Sequence, residues 1–415
     1  MATWELRCKE CGTAYEADAR YVCEQCFGPL EASYDHTGLD PAEAKRKIQA
    51  GSAGIWRYAD FLPFDGGPPP TRTTLEPGLT PLVRANRLAE TLGLGEVWVK
   101  NDAANPTHSF KDRVVAVATA KARELGFGTI ACASTGNLAN AVAAHAAAAG
   151  LDSYVFVPAD LEEQKLLATD VYGTRLVGVH GTYDDVNRLC TELCEARPWA
   201  FVNVNLRPYY AEGSKTLAYE IAEQLGWELP DRVVCPIASG SLFTKIGRGF
   251  TEWLELGLVD GELPTFNGAQ ATGCGPVAEA FSEGWDVCRP AKPEGIAKSL
   301  AIGNPADGPY ALELARGTGG TIEAVTDDEI RAGIRLLAET TGIFTETAGG
   351  VTTAVLAKLA ATGAISSEER VVLVITGEGL KTLDATRDGF RMTEIEPKLE
   401  AFEQEVEAGA LAAPR

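Results

Sequence analysis

From Thr80 onward the chain alternates short apolar runs with longer stretches of helical periodicity. EVWVKND (96–102) is a β-rich run, and VVAVATAKARELG (114–126) is helical, with Gly126 as a C′ glycine. TIACAS (129–134), SYVFVP (153–158), TRLVGVHG (174–181) and AFVNV (200–204) follow as four apolar runs with helical patterns between them. A second set comprises RVVCPIAS (232–239), TFNGAQATG (265–273), TIEAVT (321–326) and RVVLVIT (370–376). Near-continuous apolar strands separated by helices predict βαβ units and buried parallel sheets. Two such sets predict two α/β domains with a cleft between them. Upstream, 41–50 reads as a short helix and 60–80, rich in Pro and Gly, as an extended connector. After about residue 395 the pattern is an acidic amphipathic helix.

Composition narrows the function classes. The chain has 415 residues and a net charge of -21, from 58 acidic and 37 basic side chains. Sequence-independent nucleic-acid binding needs a basic footprint, and an anionic membrane would repel such a surface. No apolar run approaches the roughly 18 residues of a membrane span. The N-terminal residues show no signal pattern, which predicts a cytosolic protein. The acidic surface fits either solubility in concentrated salt or an ordinary acidic enzyme. Ten cysteines in this length are too dilute for a disulfide scaffold.

Four of those cysteines stand apart. Cys8, Cys11, Cys23 and Cys26 read C-x2-C-x11-C-x2-C, two knuckles that complete a tetrahedral S4 site suited to structural Zn²⁺. Residues 1–35 hold too few apolar side chains for a core of their own, so metal is expected to fold this head. The head is expected to be separable from the cleft behind the connector.

Three loops carry candidate chemistry. In Asn105-Pro106-Thr107-His108-Ser109-Phe110-Lys111-Asp112-Arg113, Lys111 opens a helix, where a desolvated amine is suited to Schiff-base formation. Ser134-Thr135-Gly136-Asn137 links a strand to a helix whose first N–H groups suit a carboxylate. Ala238-Ser239-Gly240-Ser241-Leu242 lets the backbone close on a phosphate at a helix start. Gly317–Thr321 precedes a strand and is read as a connecting loop, and Gly377–Thr382 only faintly echoes a P-loop. Of the four histidines, His145 and His180 sit in a helix and a strand end, which disfavours metal or triad roles.

Taken in order, N-P-T-x-S-F-K-D-R, A-S-T-G-N, the loop at 238–242, A-K-S-L-A-I-G-N-P (297–305) and I-T-G-E-G-L-K (375–381) resemble the threonine synthase family over about residues 75–390. The resemblance implies an α/β protein of the tryptophan-synthase-β-like fold type II: two doubly wound sheet domains that bind pyridoxal 5'-phosphate, plus the small N-terminal zinc ribbon. It implies a head at 1–35, a helix and connector at 36–79, a large domain at 80–127 and 213–394, a small domain at 128–212 and a tail at 395–415. It further implies that Lys111 carries the cofactor and serves as the mobile base, and that Asn137 bonds the cofactor's 3-hydroxyl. Residues Ala238, Ser239, Gly240, Ser241 and Leu242 would hold its phosphate, and Thr376 would face its pyridine nitrogen. Ser134 and Thr135 would bind the substrate carboxylate, with Arg113, Arg207 and His108 near the leaving phosphate. Arg207 is placed to supply that cation because a guanidinium fork suits phosphate. His108 stands where relatives often have glycine, and a tolerated surface change is the favoured reading.

The implied reaction is a carbon–oxygen lyase step on a phosphorylated small molecule: O-phospho-L-homoserine and water give L-threonine and phosphate. The runner-up is a related lyase, such as a cysteate synthase or a threonine/serine dehydratase. From another class, an inactive body serving a zinc-ribbon interaction protein is disfavoured by an intact Lys111. A homodimer is the default assembly.

Overall fold

The computed structural model describes residues 3–407 apart from 66, 161–162 and 182. Three sheets organise them. In the head, β1 (Thr3–Cys8), β2 (Ala14–Tyr15) and β3 (Leu30–Asp35) pair antiparallel in the order β2-β1-β3. The largest sheet uses β4 (Leu82–Arg84), β5 (Glu96–Asn101), β10 (Arg232–Pro236), β11 (Thr265–Ala271), β12 (Ile322–Val325) and β13 (Arg370–Ile375) in the order β12-β11-β10-β13-β5-β4. Only β4 runs antiparallel in it. A parallel four-stranded sheet takes β6 (Thr129–Ala133), β7 (Asp152–Pro158), β8 (Arg175–Val179) and β9 (Ala200–Phe201) in the order β8-β7-β6-β9.

The apolar runs became strands because both their faces are covered. Val371 to Ile375 and Val233 to Cys235 are fully buried in the large sheet. The helices that carry the candidate residues or pack beside them are α1 (Lys111–Glu124), α2 (Asn137–Ala149), α3 (Arg207–Glu212), α4 (Lys215–Gln224), α5 (Ser241–Glu255), α6 (Gly308–Gly317) and α7 (Thr347–Ala361). Small β4 and the head strands carry no long apolar run, and the alternation pattern therefore passes over them. Among the described residues, no helix is long and apolar enough to cross a membrane.

Just ahead of the stretch expected to be an extended connector (60–80), Ile55–Phe61 coils into a 3-10 helix. Tyr58 and Phe61 enter an aromatic cluster with Tyr219 (5.5 Å each) and Trp253 (6.0 Å each). The tail makes only a short turn, Leu399–Phe402, and a π-helical turn at Glu403–Glu407; its last expected residues, 408–415, lie outside the described ones.

The head also differs from a separable module. Leu6, Cys8, Cys23 and Leu30 belong to the same buried cluster as Val114–Ala118 of α1 and Leu206, Tyr209 and Tyr210 around α3. The apolar residues that 1–35 lacks for its own core are supplied by the body.

At the centre lies a fully buried set of charges. Arg113 gives Nε to Asp102 Oδ2 (2.6 Å), Nη1 to Glu220 Oε1 (2.6 Å) and Nη2 to Asp102 Oδ1 (2.8 Å) and Glu220 Oε2 (2.7 Å). Lys100 Nζ adds a bond to Glu220 Oε2 (2.7 Å), and Thr80 and Thr216 take the remaining guanidinium bonds. This corrects the placement of Arg113 near a substrate phosphate. Arg113 is at 0% exposure, its donors are engaged, and it ties α1, β5 and α4 together. The sequence could not separate it from its neighbour Lys111, because both open the same helix.

Burial alone would raise the Glu220 pKa, but Arg113 and Lys100 overcome it and hold the carboxyl at about 2. Removing one partner of a buried pair leaves an uncompensated charge, so Glu220→Ala should lower stability by about 3–5 kcal/mol in urea unfolding. Because the folded pKa is depressed, this contribution is full above the ordinary 4.5 and fades as pH falls through about 2. Urea midpoints of the wild type and the variant should therefore converge at the acid end. Equal midpoints at pH 7 would show that the pair carries no net stability.

Candidate active site

The lysine loop is held from within and from the opposite strand. Asp112 accepts from Thr107 N (2.8 Å) and Thr107 Oγ1 (3.0 Å), which closes the loop before Lys111. Asp112 also meets His145 Nε2 at 3.2 Å, giving that buried histidine a structural partner. Phe110 N donates to Thr376 O (2.9 Å), and Ser109 forms an isolated bridge with Gly377. Lys111, the first residue of α1, donates from Nζ to Tyr210 Oη at 2.8 Å. His108 is exposed with φ 61°, a left-handed conformation that costs a non-glycine residue energy and explains why glycine suits the position.

Asn137 begins α2 and has both ends of its amide occupied. Nδ2 donates to Glu346 Oε1 (3.0 Å) and Oε2 (3.1 Å), while Oδ1 accepts from Lys381 Nζ at 2.7 Å. Lys381 Nζ also reaches Thr107 O at 2.6 Å and so ties the loop after β13 to the lysine loop. Burial raises the Glu346 pKa, against Asn137, Lys381 and Lys111; burial lowers that of Lys381, against the nearby carboxylates. A Cβ on Gly377 would lie 2.4 Å from Glu346 Oε1, so the glycine permits this approach. Ser134 Oγ caps Gly136 N at 3.3 Å, and Thr135 follows it at the start of α2.

The third loop, Ala238–Leu242, turns at Gly240 with φ +97°. A Cβ there would sit 2.7 Å from Asp307 O, and Asp307 N donates to Ser239 O at 2.8 Å. The N-cap Gly240 has no side chain to cap α5, Ser239 Oγ meets Ser241 N only at 3.5 Å, and the first N–H groups of the helix face this small-residue turn. Arg207 Nη2 donates to Asp307 Oδ2 at 2.8 Å, and its side chain keeps 35% exposure. Arg207 therefore stands at the loop with room to change partner; Arg113 does not.

These features fit a phosphorylated, lysine-anchored cofactor. The Gly240 turn keeps its backbone bare of side chains at a helix start, and the Oγ atoms of Ser109 and Thr347, beside Lys111 and Glu346 in the chain, are buried without partners among the described residues. Thr376 is buried at the end of β13. Sequence reading overlooked Tyr210, Glu346 and Lys381. Lys381 stood in plain view in I-T-G-E-G-L-K, and Tyr210 in the segment carrying Arg207. Glu346 gives no comparable signal, since E-T-A-G-G before an apolar helix reads as an ordinary cap.

In the head, one sulfur from each of Cys8, Cys11, Cys23 and Cys26 lies within 4.8 Å of the others. Burial opposes ionisation of Cys23, but bonds from the Tyr15 hydroxyl and the N–H groups of Cys26 and Gln25 bring its thiol down to about 6. Such a donor set fits a tetrahedral soft-metal site.

A family model described as "Pyridoxal-phosphate dependent enzyme" matches residues 73–377. The threonine synthase of Methanocaldococcus jannaschii is 39% identical over 382 residues, covering 91% of this chain and 93% of that protein. The threonine synthase of Halalkalibacterium halodurans is 38% identical over 330 residues, covering 79% and 89%. Among solved structures, the processed form of threonine deaminase isoform 2 from Solanum lycopersicum matches with a TM-score of 0.64 at 20% identity, covering 85% of this chain and 90% of that one. Maize serine racemase gives 0.61 at 17% identity, covering 75% and 93%. These two share the fold.

Lys381→Met should leave Asn137 Oδ1 and the Thr107 carbonyl without a cation, while Asn137 Nδ2 stays on Glu346. The loss of this charge-assisted link between the two loops should lower stability by about 1.5–3 kcal/mol in urea unfolding. An unchanged urea midpoint would show that Lys381 carries no net stability there.

Proposed function

The chain belongs to the pyridoxal-phosphate-dependent enzymes and, within them, to the threonine synthases, and from this premise we propose that it converts O-phospho-L-homoserine and water to L-threonine and phosphate. The observation that carries the phosphorylated substrate is Arg207, a half-buried guanidinium at the lip of the Gly240 loop, held by a single carboxylate that a phosphate can replace.

Pyridoxal phosphate, when bound, supplies the electron sink for the carbons of the substrate. This chain's residues do the rest. Lys111 anchors the cofactor and, once its amine is free, moves the α- and β-protons as a general base. Tyr210 holds that amine in the resting protein. Asn137 would bond the cofactor's 3-hydroxyl, the backbone of Ala238–Leu242 with the start of α5 would receive its phosphate, and Thr376 would stand by its ring nitrogen. Ser134 and Thr135 offer donors to the substrate carboxylate at the start of α2. The four-cysteine set holds structural Zn²⁺. The enzyme works in the cytoplasm on an acidic, salt-tolerant surface, and residues 80–127 with 213–394 form the large domain against the small domain at 128–212.

Phosphate release from O-phosphohomoserine, with threonine identified as the product, tests the reading. Deamination of serine or threonine without phosphate release would move the chain to the dehydratases. Lys111→Ala should lose turnover and borohydride-fixable cofactor together, because anchor and base are one residue. Normal turnover in that variant would sink the assignment. Arg207→Ala should reduce use of the phosphorylated substrate on the order of ten- to a hundredfold while cofactor binding persists. Metal analysis should find about one Zn²⁺ per chain, lost in Cys23→Ser.

A further inference from the structure

α3 is six residues long, far below the length at which a helix holds itself together in water, so its orientation is set by what packs on it. Two of its residues serve the site and two serve the head, at i,i+3 spacing on separate faces. Arg207 and Tyr210 reach Asp307 and Lys111. Tyr209 and Glu212 reach the cysteine head: Tyr209 Oη donates to Asp18 O at 2.7 Å, and Tyr34 Oη to Glu212 Oε2 at 2.7 Å. Trp4 meets the Tyr209 ring edge-on, 5.9 Å between centroids at 90°, and Tyr209 is at 0% exposure. Lys245 joins the same seam, bonding Glu212 (2.6 Å) and Glu31 of the head (3.2 Å). The head also grips the first turn of α6, where Lys9 Nζ sits 3.3 Å from the centre of the Tyr310 ring, three residues past Asp307. Both partners of the Arg207–Asp307 pair are therefore on segments that the head clamps.

We propose that Tyr209 is a positioning residue for the reaction: the cysteine head fixes it, and through it fixes the orientation of Arg207 toward the substrate phosphate and of Tyr210 toward Lys111. The inference rests on the substrate reading above. A rotation of α3 that moves Arg207 by about 1 Å is enough to cost on the order of tenfold or more in recognition.

The test uses holoenzyme carrying Tyr209→Leu, with Tyr209→Phe as the milder form that keeps the ring against Trp4. Hydrogen exchange of the amides of residues 207 and 209–212, the affinity for inorganic phosphate, KM for O-phosphohomoserine and the pH profile of kcat are each compared with wild type at equal cofactor and zinc content. Faster exchange at these amides, phosphate affinity and KM weakened about tenfold in the Leu form and less in the Phe form, and a displaced pH profile are expected. Should Tyr209→Leu fail to fold, the Phe form must still show the same changes at smaller size. Unchanged exchange overturns the proposal, since Tyr209 then holds nothing. Faster exchange with unaltered phosphate affinity and pH profile overturns it equally, since the helix then positions nothing. If wild-type enzyme does not act on O-phosphohomoserine, the substrate reading falls, while exchange and inorganic phosphate still decide the role of Tyr209.

Discussion

The site depends on charges that never meet a ligand. Arg113 lies two residues beyond Lys111, and its guanidinium is clamped between Asp102 after β5 and Glu220 in α4. A helix whose first turn is fixed at full burial cannot slide or rotate without separating charges in a medium that solvates them poorly. The direction in which Lys111 leaves the helix follows from that clamp. Lys100 and Thr80 complete the network, so the large sheet, the lysine helix and α4 share one polar centre. Net charge within the set is close to zero, which makes its burial tolerable.

Around this anchor, the remaining parts are brought in from distant points of the chain. Asn137 comes from the start of α2, Glu346 from the start of α7, Lys381 from the loop after β13 and Arg207 from α3. Sequence reading recovered the βαβ alternation because buried strands leave unbroken apolar runs such as VVLVI at 371–375. It recovered the Lys111, Asn137 and Gly240 loops because each joins a strand end to a helix start. It failed where meaning depends on tertiary neighbours. Arg113 and Arg207 are the same residue type in equally polar surroundings along the chain, yet one is sealed inside and the other faces a loop. Glu346 becomes informative only when Asn137 lies against it.

The N-terminal region shows the same limit. Its cysteine spacing was legible because metal ligands need close approach, and the four sulfurs do cluster. Its dependence on the body was not legible, since Trp4, Leu6 and Leu30 are too few to signal a core and gain one only against α1 and α3. Composition described the head as poor in apolar residues, which is correct; its expected separation behind the connector does not account for its packing on α1 and α3.

The candidate site has two kinds of position. At Gly240 and Gly377 a single added carbon would collide with the Asp307 backbone or the Glu346 carboxylate. At Arg207 and His108 the side chains have open space. Added bulk is thereby excluded where the loops close on one another and accommodated where the side chains already face open space.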